Sequence, residues 1–255
     1  MRFAAIDIGN SRVKILSKEH GSVVFPIDEL DDTWFDGLRS FIQKHKSPYS
    51  WALSSVNSKV EEDIIDMLIE FSPVIIAAEF ILNNQTLIDI SQVSGAGSDR
   101  IFGVIGATNY SKPPFITVDC GTAITINYLD KNSTFRGGAI LPGVSTQLRA
   151  LNQFTEQLPL LLPEYTDLPF GSTTMQAMTV GTLWSAVGAI KEIISRIKSS
   201  AGIQSIPIVF TGGEHQLLAS ALSDMEIISS PNLVLEGILT AQISLPSETD
   251  FSQNI

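Results

Sequence analysis

The 255-residue sequence predicts an α/β protein built from two duplicated domains, and three observations carry that reading. Segments of strand and helix character alternate along most of the chain. The stretch Phe3-Ala-Ala-Ile-Asp-Ile-Gly-Asn10 returns as Phe115-Ile-Thr-Val-Asp-Cys-Gly-Thr122, so that Asp7 and Asp119 stand 112 residues apart and Gly9 and Gly121 the same 112. Between the copies lies Ser111-Lys-Pro-Pro114, where two prolines end any preceding helix and mark a boundary. A repeat that occurs only twice implies duplicated domains rather than a solenoid, and it places them at 1–112 and 113–255.

Taken in order, Arg2–Ile6 reads as a buried strand, and Val13–Ser17 with Ser22–Pro26 as a hairpin across Lys18–Gly21. A helix follows from Thr33 to about Lys46, with Thr33 as its cap and Asp36 placed to reach back to it. Trp51–Val56 is a strand, Val60–Phe71 a helix with Val60, Ile64, Ile65 and Leu68 on one face, and Pro73–Ala78 a strand. Asp99–Tyr110 is a helix that the two prolines stop. In the second copy an alternating strand and the polar turn Asp130–Ser133 precede a glycine-rich passage, Arg136–Gly143. Helices are predicted at about Val144–Leu158 and Gln176–Lys198, the latter with Gly181, Ser185 and Gly188 on one side for a close helix or backbone neighbour. Pro207–Phe210 is a buried strand running into Thr211-Gly-Gly213, and helices near His215–Leu222 and Asn232–Ile243 complete the second domain.

Composition narrows the function classes. The formal net charge is −11, and a surface that acidic repels phosphate backbones and anionic lipid, which excludes nucleic acid and membrane as partners. A small anionic ligand then requires local cations and backbone N–H groups. Cys120 is the only cysteine, so no intrachain disulfide forms, as suits a reducing cytoplasm. His20, His45 and His215 lack ligand spacing, which argues against structural zinc. The apolar run before Asp7 is too short for a signal peptide or a membrane span, and a cytoplasmic protein is expected.

The repeated motif carries the chemistry. A strand ending in Asp-x-Gly turns tightly at the glycine and leaves N–H groups free to meet an anion. Asn10 or Thr122 adds a hydrogen bond to a phosphate oxygen, Lys14 adds a positive charge, and an aspartate at the strand end offers oxygen to a hard cation. Either motif alone is what Asp-Gly neighbourhoods do at ordinary turns. Two in matching order, followed by a strand and Thr-Gly-Gly, point to nucleotide binding. The arrangement resembles the phosphate hairpins and adenosine loop shared by sugar kinases, actin and heat-shock chaperones. That resemblance implies two ribonuclease H-like, actin-like ATPase domains with an interdomain nucleotide cleft.

Within that superfamily the chain resembles the type III pantothenate kinases. The matching stretches are Asp7-Ile-Gly-Asn-Ser-Arg-Val-Lys14, Gly97-Ser-Asp-Arg100, Asp119-Cys-Gly-Thr-Ala-Ile-Thr125, Gly137-Gly-Ala-Ile-Leu-Pro-Gly143, Thr174-Met-Gln-Ala-Met-Thr-Val-Gly181 and Thr211-Gly-Gly213. The passage Gln85–Ala96 departs from the family's usual lead-in to the acceptor segment. The resemblance implies phosphorylation of the terminal hydroxyl of pantothenate by Mg²⁺-ATP, the first step of coenzyme A synthesis. It implies Asp7, Ile8, Gly9, Asn10, Ser11, Arg12, Val13 and Lys14 as the first ATP segment and Thr122 as a second ATP contact. Asp119 matches the ligand of a monovalent cation, K⁺ or NH₄⁺. Gly97, Ser98, Asp99 and Arg100 match the pantothenate segment, with Asp99 as the catalytic base. Thr174 matches a pantothenate contact supplied across a homodimer. Read from the residues alone, Asp99 also suits a helix cap and Arg100 an exposed helix position. The alternatives are a nucleotide-binding regulatory homologue like the Bvg accessory factors, or a kinase or phosphatase of the same fold with another substrate.

Overall fold

A central strand, paired antiparallel on one edge and parallel on the other, organises each half of the chain. The computed structural model describes residues 2–28, 31–44, 49–71 and 74–245. Two compact units emerge: one holds the chain to Asn109, Ser133–Phe135 and everything from Asn232, and the other holds Tyr110–Asn132 and Arg136–Pro231.

In the first unit β1 (Arg2–Ile8) is the central strand, and Ala4, Ala5, Ile6 and Ile8 are fully buried. It pairs antiparallel with β2 (Arg12–Ser17), which pairs with β3 (Gly21–Pro26), and parallel with β4 (Tyr49–Ser55). The helix α1 (Thr33–Lys44) precedes β4, and α2 (Ser58–Ile69) leads to β5 (Val74–Ala77), parallel to β4. Alternation along β2 turns Val13 and Ile15 inward, where they join Leu38 and Ile42 of α1 and Ile64, Met67 and Leu68 of α2 in one core. The Asn57 side chain caps α2 by accepting from the Val60 N–H. Two more helices follow, α3 (Ala78–Asn84) and α4 (Ser98–Ala107).

The second unit repeats the plan. The central strand β6 (Phe115–Cys120) pairs antiparallel with β7 (Ala123–Leu129), beside which lies β8 (Phe135–Pro142). Then come α5 (Val144–Gln153), α6 (Thr174–Ala201), β9 (Ile208–Thr211), α7 (His215–Ala221) and β10 (Ile227–Ser229). The strands β9 and β10 are parallel additions on the other edge of β6. The sheet orders, β3-β2-β1-β4-β5 and β8-β7-β6-β9-β10, are the same order written twice, as a duplication requires. The 28-residue α6 is long and apolar enough to cross a membrane, but Leu183, Ala186, Val187, Ile190 and Ile194 pack into the core beneath β6 and β9, so it is a core helix.

The last helix, α8 (Leu233–Ile243), corrects the expected boundary, because it packs in the first unit rather than completing the second. Glycine explains why. A Cβ on Gly106 would lie 2.1 Å from the Leu233 carbonyl oxygen, and one on Gly237 would lie 1.8 Å from that of Phe102. Backbone therefore meets backbone where α8 crosses α4. The close approach expected at Gly181 and Gly188 is absent among the described residues, since a Cβ at either meets nothing within 4 Å.

Smaller differences have local causes. Asp32 precedes the first helical turn and accepts from the Asp36 N–H, so Thr33 is the first helical residue and not the cap. The expected end of that helix at Lys46 and the strand start at Pro73 lie outside the described residues. The helix α5 stops at Gln153, while α6 runs to Ala201, where Gly202 takes the left-handed conformation that ends it. The seven-residue α3 and three-residue β10 are too short for a periodic signal.

Gly106→Ala is expected to cost about 2–3 kcal/mol of stability, because its methyl meets backbone that cannot repack. Gly103→Ala, in the same helix, places its methyl 3.9 Å from Val234 Cγ2 and is expected to be neutral or stabilising by up to about 1 kcal/mol. Urea denaturation of the two variants checks the contrast.

Candidate active site

In the first unit the β1–β2 turn is Gly9-Asn10-Ser11, closed by a hydrogen bond from the Gly9 N–H to the Arg12 carbonyl at 2.9 Å. Asn10, Ser11 and Arg12 are exposed on it, and Lys14 is half-buried at the cross-strand position opposite Asp7. Asp7 is itself 8% exposed. The side chains of Ile8 and Val13 belong to the core, so at those two positions only the backbone can meet a ligand.

The Gly97-Ser-Asp-Arg100 segment stands beside this turn through β4. Ser54 is the parallel-strand partner of Asp7, and its Oγ lies 2.9 Å from Ser98 Oγ at the start of α4. Ser98 Oγ also donates to the Ser55 carbonyl, while the Val56 N–H donates to that of Ile8 at 3.0 Å. The end of β1, the end of β4 and the start of α4 are thus hydrogen-bonded together.

Asp99 is the second residue of α4, and burial pushes its carboxyl above the ordinary aspartate value. A hydrogen bond from the Arg100 N–H to Asp99 Oδ1 at 2.8 Å and the Arg100 charge oppose that shift without cancelling it. A helix dipole favours the ionised form of a carboxylate in the first turn; desolvation outweighs it and makes the carboxylate a stronger base. A Cβ on Gly97 would fall 2.5 Å from Asp99 Oδ1, so any other residue there displaces that carboxylate. The Arg100 guanidinium lies 5.9 Å from the ring centroid of Phe135, which is fully buried, and burial lowers its pKa.

In the second unit Asp119 sits opposite Thr125 on β7 and Thr211 on β9. Its turn, Gly121-Thr122, is one residue shorter than the first, with the Gly121 N–H bonded to the Ala123 carbonyl at 3.1 Å. Thr122 is exposed, and its carbonyl accepts from the Gly143 N–H and from Thr146 Oγ1. Gly212 has φ +92°, and a Cβ there would lie 2.4 Å from Asp119 Oδ1. Only glycine combines that conformation with that approach. Cys120 is fully buried, its side chain directed into the core and its thiol pushed up by burial. Thr174 is the first residue of α6, exposed, and outside this hydrogen-bonded group, with Thr173 as the helix cap. Among the described residues no three His, Cys, Asp or Glu side chains cluster as a metal site.

Two residues that sequence reasoning missed tie these segments together. Ser54 is a fully buried serine directly after the apolar run Trp51-Ala-Leu53 of β4, and that polar interruption was its only signal. Glu214 follows Thr-Gly-Gly directly, and its carboxylate accepts from the Val144 and Ser145 N–H groups at 3.0 Å each.

Each unit is thus the three-stranded meander plus two parallel strands of the ribonuclease H-like, actin-like class, with an Asp-x-Gly turn at the end of its central strand. The family model for type III pantothenate kinase matches residues 3–196, and the chain belongs to that family. A type III pantothenate kinase from Synechococcus elongatus is 40% identical over 143 residues, which are 56% of this chain and 57% of that protein's own length. One from Rhodopirellula baltica is 28% identical over 268 residues, covering 92% of this chain and 96% of the relative. A crystal structure of a Baf family transcriptional activator from Campylobacter jejuni is similar with TM-score 0.64 and 22% identity, covering 94% of this chain and 96% of the other; it speaks to the fold alone.

The carboxyl of Asp99, followed by ¹³C NMR, is expected to titrate above the ordinary aspartate range because burial disfavours its charged form. In Arg100→Gln the titration should move higher still, since the favourable positive charge is gone. A midpoint unchanged by the substitution would show that the two groups do not interact.

Proposed function

We propose that this protein transfers the γ-phosphoryl group of ATP to the terminal hydroxyl of pantothenate, giving 4'-phosphopantothenate and ADP. The observation that carries the reading is Asp99: a carboxylate made more basic by burial, at the start of α4, tied through Ser98 and Ser54 to the strand that ends in the first Asp-x-Gly turn. Membership of the family supplies the acceptor.

A primary alcohol is a weak nucleophile. Asp99 accepts its proton as the hydroxyl oxygen bonds to the γ-phosphorus, and the bond from that phosphorus to the β,γ-bridging oxygen breaks with its electrons leaving on ADP. Residues 7–14 hold phosphate oxygens through the exposed polar residues Asn10 and Ser11 of the turn and the Lys14 charge, and Thr122 adds a second contact. Gly97 and Ser98 shape the acceptor position, and Arg100 pairs with the pantothenate carboxylate.

Mg²⁺ bound with ATP would offset the charge of its phosphates. Asp119 suits a monovalent cation, K⁺ or NH₄⁺, because it is a single hard-oxygen carboxylate whose Oδ1 faces a glycine, Gly212, instead of a side chain. A homodimer completes the acceptor site with Thr174 of the second copy. In its favour, the segment leading into α6 carries Leu162 at 84%, Phe170 at 76% and Met175 at 56% exposure, apolar surface that a monomer leaves in water. Sedimentation velocity checks the dimer, and activation by KCl against NaCl checks the cation. The reaction takes place in the cytoplasm, where a lone buried Cys120 stays a thiol.

Asp99→Asn is expected to lower kcat roughly a hundredfold or more while moving the pantothenate KM little, because an amide keeps the shape but cannot take the proton. Folding should survive, as Asn serves a helix start about as well as Asp. Steady-state kinetics with a coupled ADP assay decides it, and an unchanged kcat removes Asp99 from the mechanism.

A further inference from the structure

The helix α5 begins without a cap of its own. Its N-cap residue is Gly143, which offers no side chain to the N–H groups of the first turn. Those groups are satisfied from 70 residues away, where Glu214 Oε2 accepts from the Val144 N–H and Oε1 from the Ser145 N–H, both at 3.0 Å. Ser145 Oγ donates to the same Oε1. Glu214 is itself fixed by its backbone: its N–H donates to the Cys120 carbonyl at 2.8 Å, one residue beyond Asp119. The start of α5 in turn grips the second turn, since the Gly143 N–H donates to the Thr122 carbonyl at 2.9 Å and Thr146 Oγ1 donates to it at 2.6 Å. A Cβ on Gly143 would sit 2.0 Å from the Gly121 carbonyl oxygen, so these backbones are in direct contact.

We propose that Glu214 is a positioning residue for nucleotide binding, a carboxylate clamp that holds the Gly121-Thr122 turn and the Thr211-Gly-Gly213 turn in one fixed arrangement through the first turn of α5. The inference rests on the proposed role of Asp119 and Thr122 in meeting ATP. Its physical basis is the number and charge of the bonds. A carboxylate accepts all three donors and is favoured at a helix N-terminus by its charge. Glutamine has one acceptor oxygen, and its NH₂ group would face one of the α5 donors, leaving that donor unsatisfied. The clamp lies wholly within the second unit, whereas Asp99 and its acceptor segment belong to the first. The cost should therefore fall on ATP and spare pantothenate.

The test measures wild type, Glu214→Gln and Ser145→Ala by titration with a non-hydrolysable ATP analogue, by KM for ATP and for pantothenate, and by thermal melting. Glu214→Gln is expected to weaken analogue binding and raise the ATP KM roughly tenfold, with the pantothenate KM unchanged within about twofold. Ser145→Ala removes one of the three donors and keeps both backbone bonds, so it should fold as wild type does and show the same ATP-selective change, roughly threefold. The second variant keeps the test decisive if Glu214→Gln does not fold. Wild-type affinity for the analogue in folded variants, or equal loss of both KM values, overturns the clamp. Absence of analogue binding by the wild-type protein overturns instead the nucleotide reading beneath it.

Discussion

Everything in this chain depends on a strand that is paired on both edges up to an aspartate and then has to turn. From Ala4 to Asp7 in β1 and from Ile116 to Asp119 in β6 each residue has a partner on both sides, antiparallel on one and parallel on the other. The aspartate is therefore held at a fixed point, opposite Ser54 in one unit and Thr211 in the other. Two residues later a glycine lets the chain reverse. The turn residues proposed to meet ATP lie where the ladders end, so their placement is inherited from the sheet.

The two copies use the same constraint differently. Across the ladder, Asp7 faces Lys14, whereas Asp119 faces Thr125. The first turn thus has a cation built into its second strand, while the second offers a carboxylate with a neutral cross-strand neighbour, which is the electrostatic setting that favours a bound cation. The turn lengths differ too, three residues against two, and the shorter one is buttressed by α5 and Glu214. The repeated scaffold thus carries a different charge setting at the same point in each unit.

Much of this was legible in the sequence because the informative signals are local. The alternation in Arg12–Ser17 and the apolar runs around Asp7 and Asp119 each reflect forces acting within a few residues. What the sequence hid is long-range. Nothing near Leu233 says that its helix returns to the first unit; that follows from Gly106 and Gly237 meeting, 131 residues apart in sequence. Gly181 and Gly188 of α6 gave the same signal as Gly106 and Gly237 but meet no neighbouring backbone among the described residues. Asp99 was legible as a helix-start carboxylate, but its raised pKa was not, because burial of an N-terminal turn depends on the tertiary packing around it. Glu214 was invisible for the reverse reason, since two of its three donors are the Val144 and Ser145 N–H groups, which any sequence would supply.

The central claim is that these turns hold ATP for transfer to the hydroxyl of pantothenate, and identifying the product tests it most directly. Purified protein incubated with Mg²⁺, K⁺, ATP and pantothenate is analysed by mass spectrometry for acceptor and nucleotide together. The account predicts a pantothenate species heavier by one phosphoryl group, formed in equal amount to ADP, with ADP formation falling to background when pantothenate is left out. ADP released at the same rate without pantothenate, or pantothenate recovered unmodified beside intact ATP, would contradict it.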